Sequence, residues 1–95
     1  MNSQNIPSLS SVVREVKELI LSVTNLQSMD VENMKDDVML FGSGLGLDSI
    51  DMLEIVVNVE KKYNLKIRND EHGRNTLATV LGLATAIRTH MESST

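Results

Sequence analysis

Three stretches of this chain repeat apolar residues at three- and four-residue steps, which commits most of it to packed helices. In the first, Val12, Val13, Val16, Leu19, Ile20, Val23 and Leu26 fall along one side of a helix running roughly from 9 to 26. Ser8, Ser10 and Ser11 offer hydroxyls for its N-cap, and Arg14, Glu15, Lys17 and Glu18 are expected on its wet side. In the second, roughly Ser49 to Tyr63, a helical wheel puts Ile50, Leu53, Val56, Val59 and Tyr63 on one broad apolar side. Asp51, Glu54, Asn58, Lys61 and Lys62 fall opposite, with Ile55 and Val57 at the edges of the apolar arc. Glu60 points to the apolar side, and the sequence offers no reason for it. In the third, Val80, Leu83, Ala84, Ile87 and Met91 form the core stripe of a last helix ending near 91, with Thr76 or Thr79 as its cap.

The connections read differently. Asn25 to Met39 has no clean period, so it is a long loop, pinned by Met29, Val31, Met34, Val38 and Met39 with Leu40-Phe41 as its last anchor. Structureless loops of this length usually have a function. Gly42-Ser43-Gly44-Leu45-Gly46 then turns the chain sharply. Leu65-Lys66-Ile67 reads as short and extended, and polar Asn69 to Thr76, with Gly73 inside, supports only a short, weak helix. The fold class is therefore all-α. It is a small four-helix bundle, three main helices plus one short one, with a long loop between helices one and two. One domain is expected over 8–92, with 1–7 and 93–95 frayed.

Ninety-five residues bury one modest core, and with aromatics at only 2% that core must be aliphatic, with six Met as adaptable filler. The net charge of −4 argues against a nucleic-acid partner and favours basic patches on partner proteins. The chain has no cysteine, hence no disulfide framework, no thiolate metal site and no thiol of its own for thioester chemistry. It has neither a signal pattern nor a bilayer-spanning apolar run, so a cytoplasmic monomer with no membrane insertion is expected.

The chemistry concentrates where the glycine-rich turn meets the second helix. Asp48 can cap that helix, and Asp51 three residues on nearly completes a capping box. Ser49 then stands at an open helix start, beside unpaired backbone N–H groups suited to a phosphodiester. The charges of Asp48, Asp51 and Glu54 would attract cationic surfaces on partner proteins. Asp-Ser by itself is most often only a cap. The longer run Leu45-Gly46-Leu47-Asp48-Ser49-Ile50, followed by Leu53 and Glu54, is much rarer.

That run resembles the attachment motif of acyl carrier proteins, a Leu-Gly-X-Asp-Ser-Leu-like sequence opening the second helix of a four-helix bundle. Asp51, Leu53, Glu54, Val56, Val57, Glu60 and Tyr63 continue the likeness, as does Ala78-Thr79-Val80 before the last helix. The resemblance implies a non-catalytic carrier. Ser49 would bear 4'-phosphopantetheine, transferred from coenzyme A by a phosphopantetheinyl transferase, with Asp48 beside it in the cofactor site, and the arm's thiol would hold acyl intermediates for fatty-acid or polyketide enzymes. Asp48, Asp51, Glu54 and Val57 would meet partner enzymes through basic patches. An acyl-chain cleft is expected between Leu53, Val57, Ile67 and Leu83. The chain departs from the family pattern at Gly44, where many relatives have an acid, at Lys61-Lys62, and at His72-Gly73-Arg74-Asn75 in helix three, where Leu77 would be the apolar anchor. These departures point to a specialised carrier.

Other readings fit less well. Ser49 lacks the glycine-flanked nucleophile elbow of a hydrolase, and His72 and His90, the only candidate bases, read as surface residues. Gly42 to Gly46 lacks the P-loop lysine and the third dinucleotide glycine. Asp30, Asp36, Asp37 and Asp48 lack EF-hand spacing, so no metal site is assigned. A helical protein–protein adaptor without a prosthetic group is the remaining alternative.

Overall fold

The computed structural model describes residues 7–24, 30–41, 44–68 and 70–93. The helices are α1 (Leu9–Val23), α2 (Ser49–Tyr63), α3 (Glu71–Thr76) and α4 (Val80–Ser93), with one 3-10 turn at Val31–Asn33 between α1 and α2. This is the all-α, four-helix arrangement that the apolar spacing predicts. Leu26 and Met29, two of the expected anchors, lie outside the described residues, as do Gly42, Ser43, 1–6 and 94–95. No helix among the described residues is long and apolar enough to cross a membrane.

Ser8 starts α1 by accepting a hydrogen bond from the Ser11 N–H. The helix buries Val12, Val13, Val16, Leu19 and Ile20, and packs chiefly against α4 and also against α2. It stops short of the expected end, because both the N–H and the hydroxyl of Thr24 donate to the Ile20 carbonyl. Lys17, expected in water, is only 8% exposed. Its stem lies along the apolar surface while Nζ reaches Asp36 Oδ1 at 2.6 Å, tying α1 to the long loop. In that loop Met34 and Leu40 are buried anchors, and Val31 and Val38 are half-buried. Met39 and Phe41 are corrected to the surface, at 51% and 41% exposure.

Thr79 caps α4, its Oγ1 accepting from Gly82 N–H at 2.9 Å. Val80, Leu83, Ala84 and Ile87 are fully buried and Met91 packs against them. The helix runs on to Ser93, and Arg88 Nε donates to the Pro7 carbonyl at 3.0 Å, which ties the residues before α1 to α4.

The wheel for α2 needs correction. Its buried stripe is Met52, Ile55 and Val59, with Val56 and Tyr63 half-buried. Ile50 and Leu53, expected inward, are 71% and 62% exposed. This helix is apolar around most of its first three turns, so periodicity alone leaves its rotation open. Glu60 now has a role, since its Oε2 accepts the Ile67 N–H at 3.0 Å and pins the extended 64–68 segment beside α2. Asn64, in the left-handed conformation at φ 55°, ends the helix and aims the chain into that segment. Tyr63 donates its hydroxyl to Glu15 at 2.8 Å. Burial first, then the hydrogen bond and charge of Glu15, push its phenol well above the ordinary range.

The polar α3 is a real turn and a half of helix. Asp70 caps it by accepting from Gly73 N–H at 3.1 Å. Gly73 is buried against the preceding segment so closely that a Cβ would stand 1.7 Å from the Arg68 carbonyl oxygen. Glycine is therefore a packing requirement here rather than a weak point.

Two outcomes are expected. Gly73→Ala should lower stability by about 1–3 kcal/mol in denaturant unfolding, the usual range for overpacking. The raised Tyr63 phenol binds its proton more tightly folded than unfolded. Its contribution should be complete below the free phenol pKa of about 10 and fall as pH rises above it. Tyr63→Phe should remove that alkaline slope in a stability–pH series.

Candidate functional site

The start of α2 is built by backbone hydrogen bonds. Residues 38–40 run antiparallel to 78–80, with Leu40 N–H donating to the Ala78 carbonyl at 3.0 Å and Val80 N–H to the Val38 carbonyl at 3.1 Å. The glycine-containing turn then folds back onto the same segment. Leu45 N–H donates to the Met39 carbonyl at 2.7 Å, and Leu47 N–H to the Leu40 carbonyl at 3.0 Å. Leu45 and Leu47 are both buried, on either side of Gly46 at φ 69°. Only glycine adopts that angle without steric cost. The glycine spacing predicts a turn here but does not mark Leu45 and Leu47 as core residues. Their alternation around Gly46 was the available signal.

Both halves of the expected capping box are present. Asp48 Oδ1 accepts from Asp51 N–H at 2.9 Å, and Asp51 Oδ2 accepts from Asp48 N–H at 3.4 Å. Ser49 is the first residue of the helix and is exposed. Asp48 and Glu54 are exposed and Asp51 is half-buried. Ile50, Leu53 and Val57 are exposed with them, so α2 presents acids and bare aliphatics together.

A groove of about 380 Å³ lies against the serine, lined by Ser49, Met52, Leu53, Val56, Ile67 and Leu77, with Arg68 beside them. Of the four residues expected to form a cleft, Leu53 and Ile67 line this groove. Leu83 is fully buried in the core, and Val57 faces solvent elsewhere on α2. Met52, Val56 and Leu77 were missed as lining residues, because their access to the groove depends on the rotation of α2 and the path of 64–68. His72 and His90 both line a separate cavity and do not line the groove at Ser49. Among the described residues no cluster of His, Cys, Asp or Glu could hold a metal ion.

Comparison with known proteins agrees with this geometry. Residues 14–87 match the phosphopantetheine attachment site family. The acyl carrier protein of Porphyromonas gingivalis is 30% identical over 63 residues, spanning 66% of this chain and 76% of its own. That of Wolinella succinogenes is 28% identical over 80 residues, spanning 84% and 97%. That of Azobacteroides pseudotrichonymphae is 33% identical over 64 residues, spanning 66% and 71%. The chain belongs to the acyl carrier protein family. No solved structure matches it significantly.

An acyl carrier protein is a carrier and not a catalyst, and its cofactor is covalently attached 4'-phosphopantetheine. The residues at the start of α2 fit such a group. The Ser49 hydroxyl is open to solvent. The first-turn N–H groups of Ser49 and Ile50 make no hydrogen bond to a described residue, so they remain available to a phosphodiester oxygen. The adjoining groove is walled mainly by the apolar side chains of Met52, Leu53, Val56, Ile67 and Leu77.

Asp48→Ala should lower stability by about 1 kcal/mol, the usual loss for an N-cap, measured as a shift in the unfolding midpoint. A variant without that loss would show that the loop ladder holds the start of α2 unaided.

Proposed function

We propose that Ser49 is the attachment residue for 4'-phosphopantetheine, and that this carrier delivers acyl intermediates to fatty-acid or polyketide biosynthetic enzymes. The observation that carries the reading is the exposed Ser49 hydroxyl at the first position of a capped helix, with an apolar groove alongside. Bound there, the arm supplies the terminal thiol that this cysteine-free chain lacks, and acyl groups ride on it as thioesters.

The chain's own residues do the positioning. The capping box holds the start of α2 in one orientation, so the Ser49 hydroxyl meets an incoming enzyme in a defined direction. Asp48 and Glu54 attract basic patches on a phosphopantetheinyl transferase and on acyl-transferring and chain-extending enzymes, raising encounter rates more than affinity. Ile50, Leu53 and Val57 add the apolar contact that a brief complex needs. Tethering keeps cargo at high effective concentration without tight carrier binding. Met52, Leu53, Val56, Ile67 and Leu77 shelter the part of the cargo nearest the thioester, at roughly 0.8 kcal/mol per methylene covered. The carrier is proposed to act as a cytoplasmic monomer.

Co-expression with a phosphopantetheinyl transferase should add one phosphopantetheine mass to the intact protein. Ser49→Ala should stay folded, because Asp48 retains the cap, and should gain nothing. A chain that stays bare, or an adduct that persists in Ser49→Ala, would overturn the assignment; the bare chain would instead be a helical adaptor.

A further inference from the structure

One larger cavity takes no part in the site described above. A groove of about 430 Å³ opens between residues 65–68, α3 and α4, and no residue of α2 lines it. Its volume falls within the range of small-molecule sites. Gly73, Gly82 and Ala86 are the small residues of its lining. Leu65 and Ile67 supply apolar wall.

The charge around this groove runs against that of the whole chain. Asp and Glu outnumber Lys and Arg by 13 to 9, yet no acidic residue lines it. Lys66 and Arg68 do, with His72 and His90 beside them on the lining. Arg68 is paired with Asp70 at 2.8 Å, so part of its charge is compensated. The Lys66 ammonium and the His72 imidazole make no hydrogen bond or ion pair with a described residue. Ile67 and Arg68 line both this groove and the one at Ser49, so the two adjoin across that segment.

We infer that this second groove receives the far end of the tethered cargo and favours chains that end in a carboxylate. The inference rests on Ser49 being the attachment residue. Methylene groups would cross the Ile67–Arg68 segment along apolar wall, and the terminal carboxylate would meet Lys66 and His72 at the rim. A methyl-ended chain gains nothing from that rim and stays in the groove beside Ser49. Selection of this kind comes from polar groups placed to meet a polar end group.

The test uses the full chain, loaded by a phosphopantetheinyl transferase from two coenzyme A thioesters of equal length. One is octanoyl, and the other is suberoyl, which carries a free carboxylate at its far end. Backbone amide shifts of Gly82, Thr85 and Ala86 report the second groove, and those of Leu53 report the first. Suberoyl should move both sets and octanoyl only the Leu53 set. Lys66→Gln should reduce the suberoyl response about two- to fivefold, the worth of one exposed charge pair. Ala86→Leu, which fills the groove, should abolish it while the Leu53 response remains. Equal responses to the two chains, or none at Gly82, Thr85 and Ala86, would overturn the inference and leave Ser49 as the attachment residue. Absence of any adduct on Ser49 would overturn both.

Discussion

The geometry of the site depends on one small backbone ladder. Residues 38–40 bond to 78–80 on one side and to 45–47 on the other. The side chain at its centre, Leu40, is fully buried. This arrangement brings the end of the long loop, the turn before α2 and the start of α4 to one place. A turn rich in glycine is entropically expensive to hold. Here backbone hydrogen bonds donated by Gly44, Leu45 and Leu47 hold it together with two buried leucines, so Asp48 arrives where a cap can form. Without those anchors the first turn of α2 would fray, and Ser49 would lose its defined direction.

The ladder also bears on the rotation of α2. Leu47 is buried immediately before the helix, and Met52, Ile55 and Val59 follow it into the core. Ile50 and Leu53 are thereby turned outward beside Asp48 and Glu54. Burying either of them would be favourable by about 1.5–3 kcal/mol, so their exposure is a cost to the isolated chain. A carrier that docks briefly on other proteins recovers part of that cost at each encounter. The same rotation opens the groove beside Ser49, because Met52, Leu53 and Val56 can all reach it.

Several polar residues act as ties between elements. Lys17 crosses to Asp36 in the long loop, Tyr63 crosses from α2 to Glu15 on α1, and Glu60 holds the 64–68 segment through the Ile67 N–H. That segment separates the two grooves, and Gly73 allows α3 to close against it. The result is a small aliphatic core with an ordered but loosely filled side. A carrier that shelters part of its cargo, as proposed, needs such a side, since a fully close-packed interior would resist every opening.

The number and type of helices, the α2 boundaries, the Asp48–Asp51 capping box and the exposure of Ser49 were all legible in the linear order of residues. Each follows from local rules: apolar spacing over three or four residues, side-chain bonds to nearby N–H groups, and glycine before a helix start. The buried face of α2, the burial of Lys17, the inward leucines around Gly46, the use of Glu60 and the true lining of the groove were not. These depend on partners far along the chain, and a helix apolar on most sides has no preferred face until its neighbours pack. Which aliphatic residues sit in the core and which stay bare beside the serine is therefore set by long-range contacts, above all by the strand-like pairing of 38–40 with 78–80.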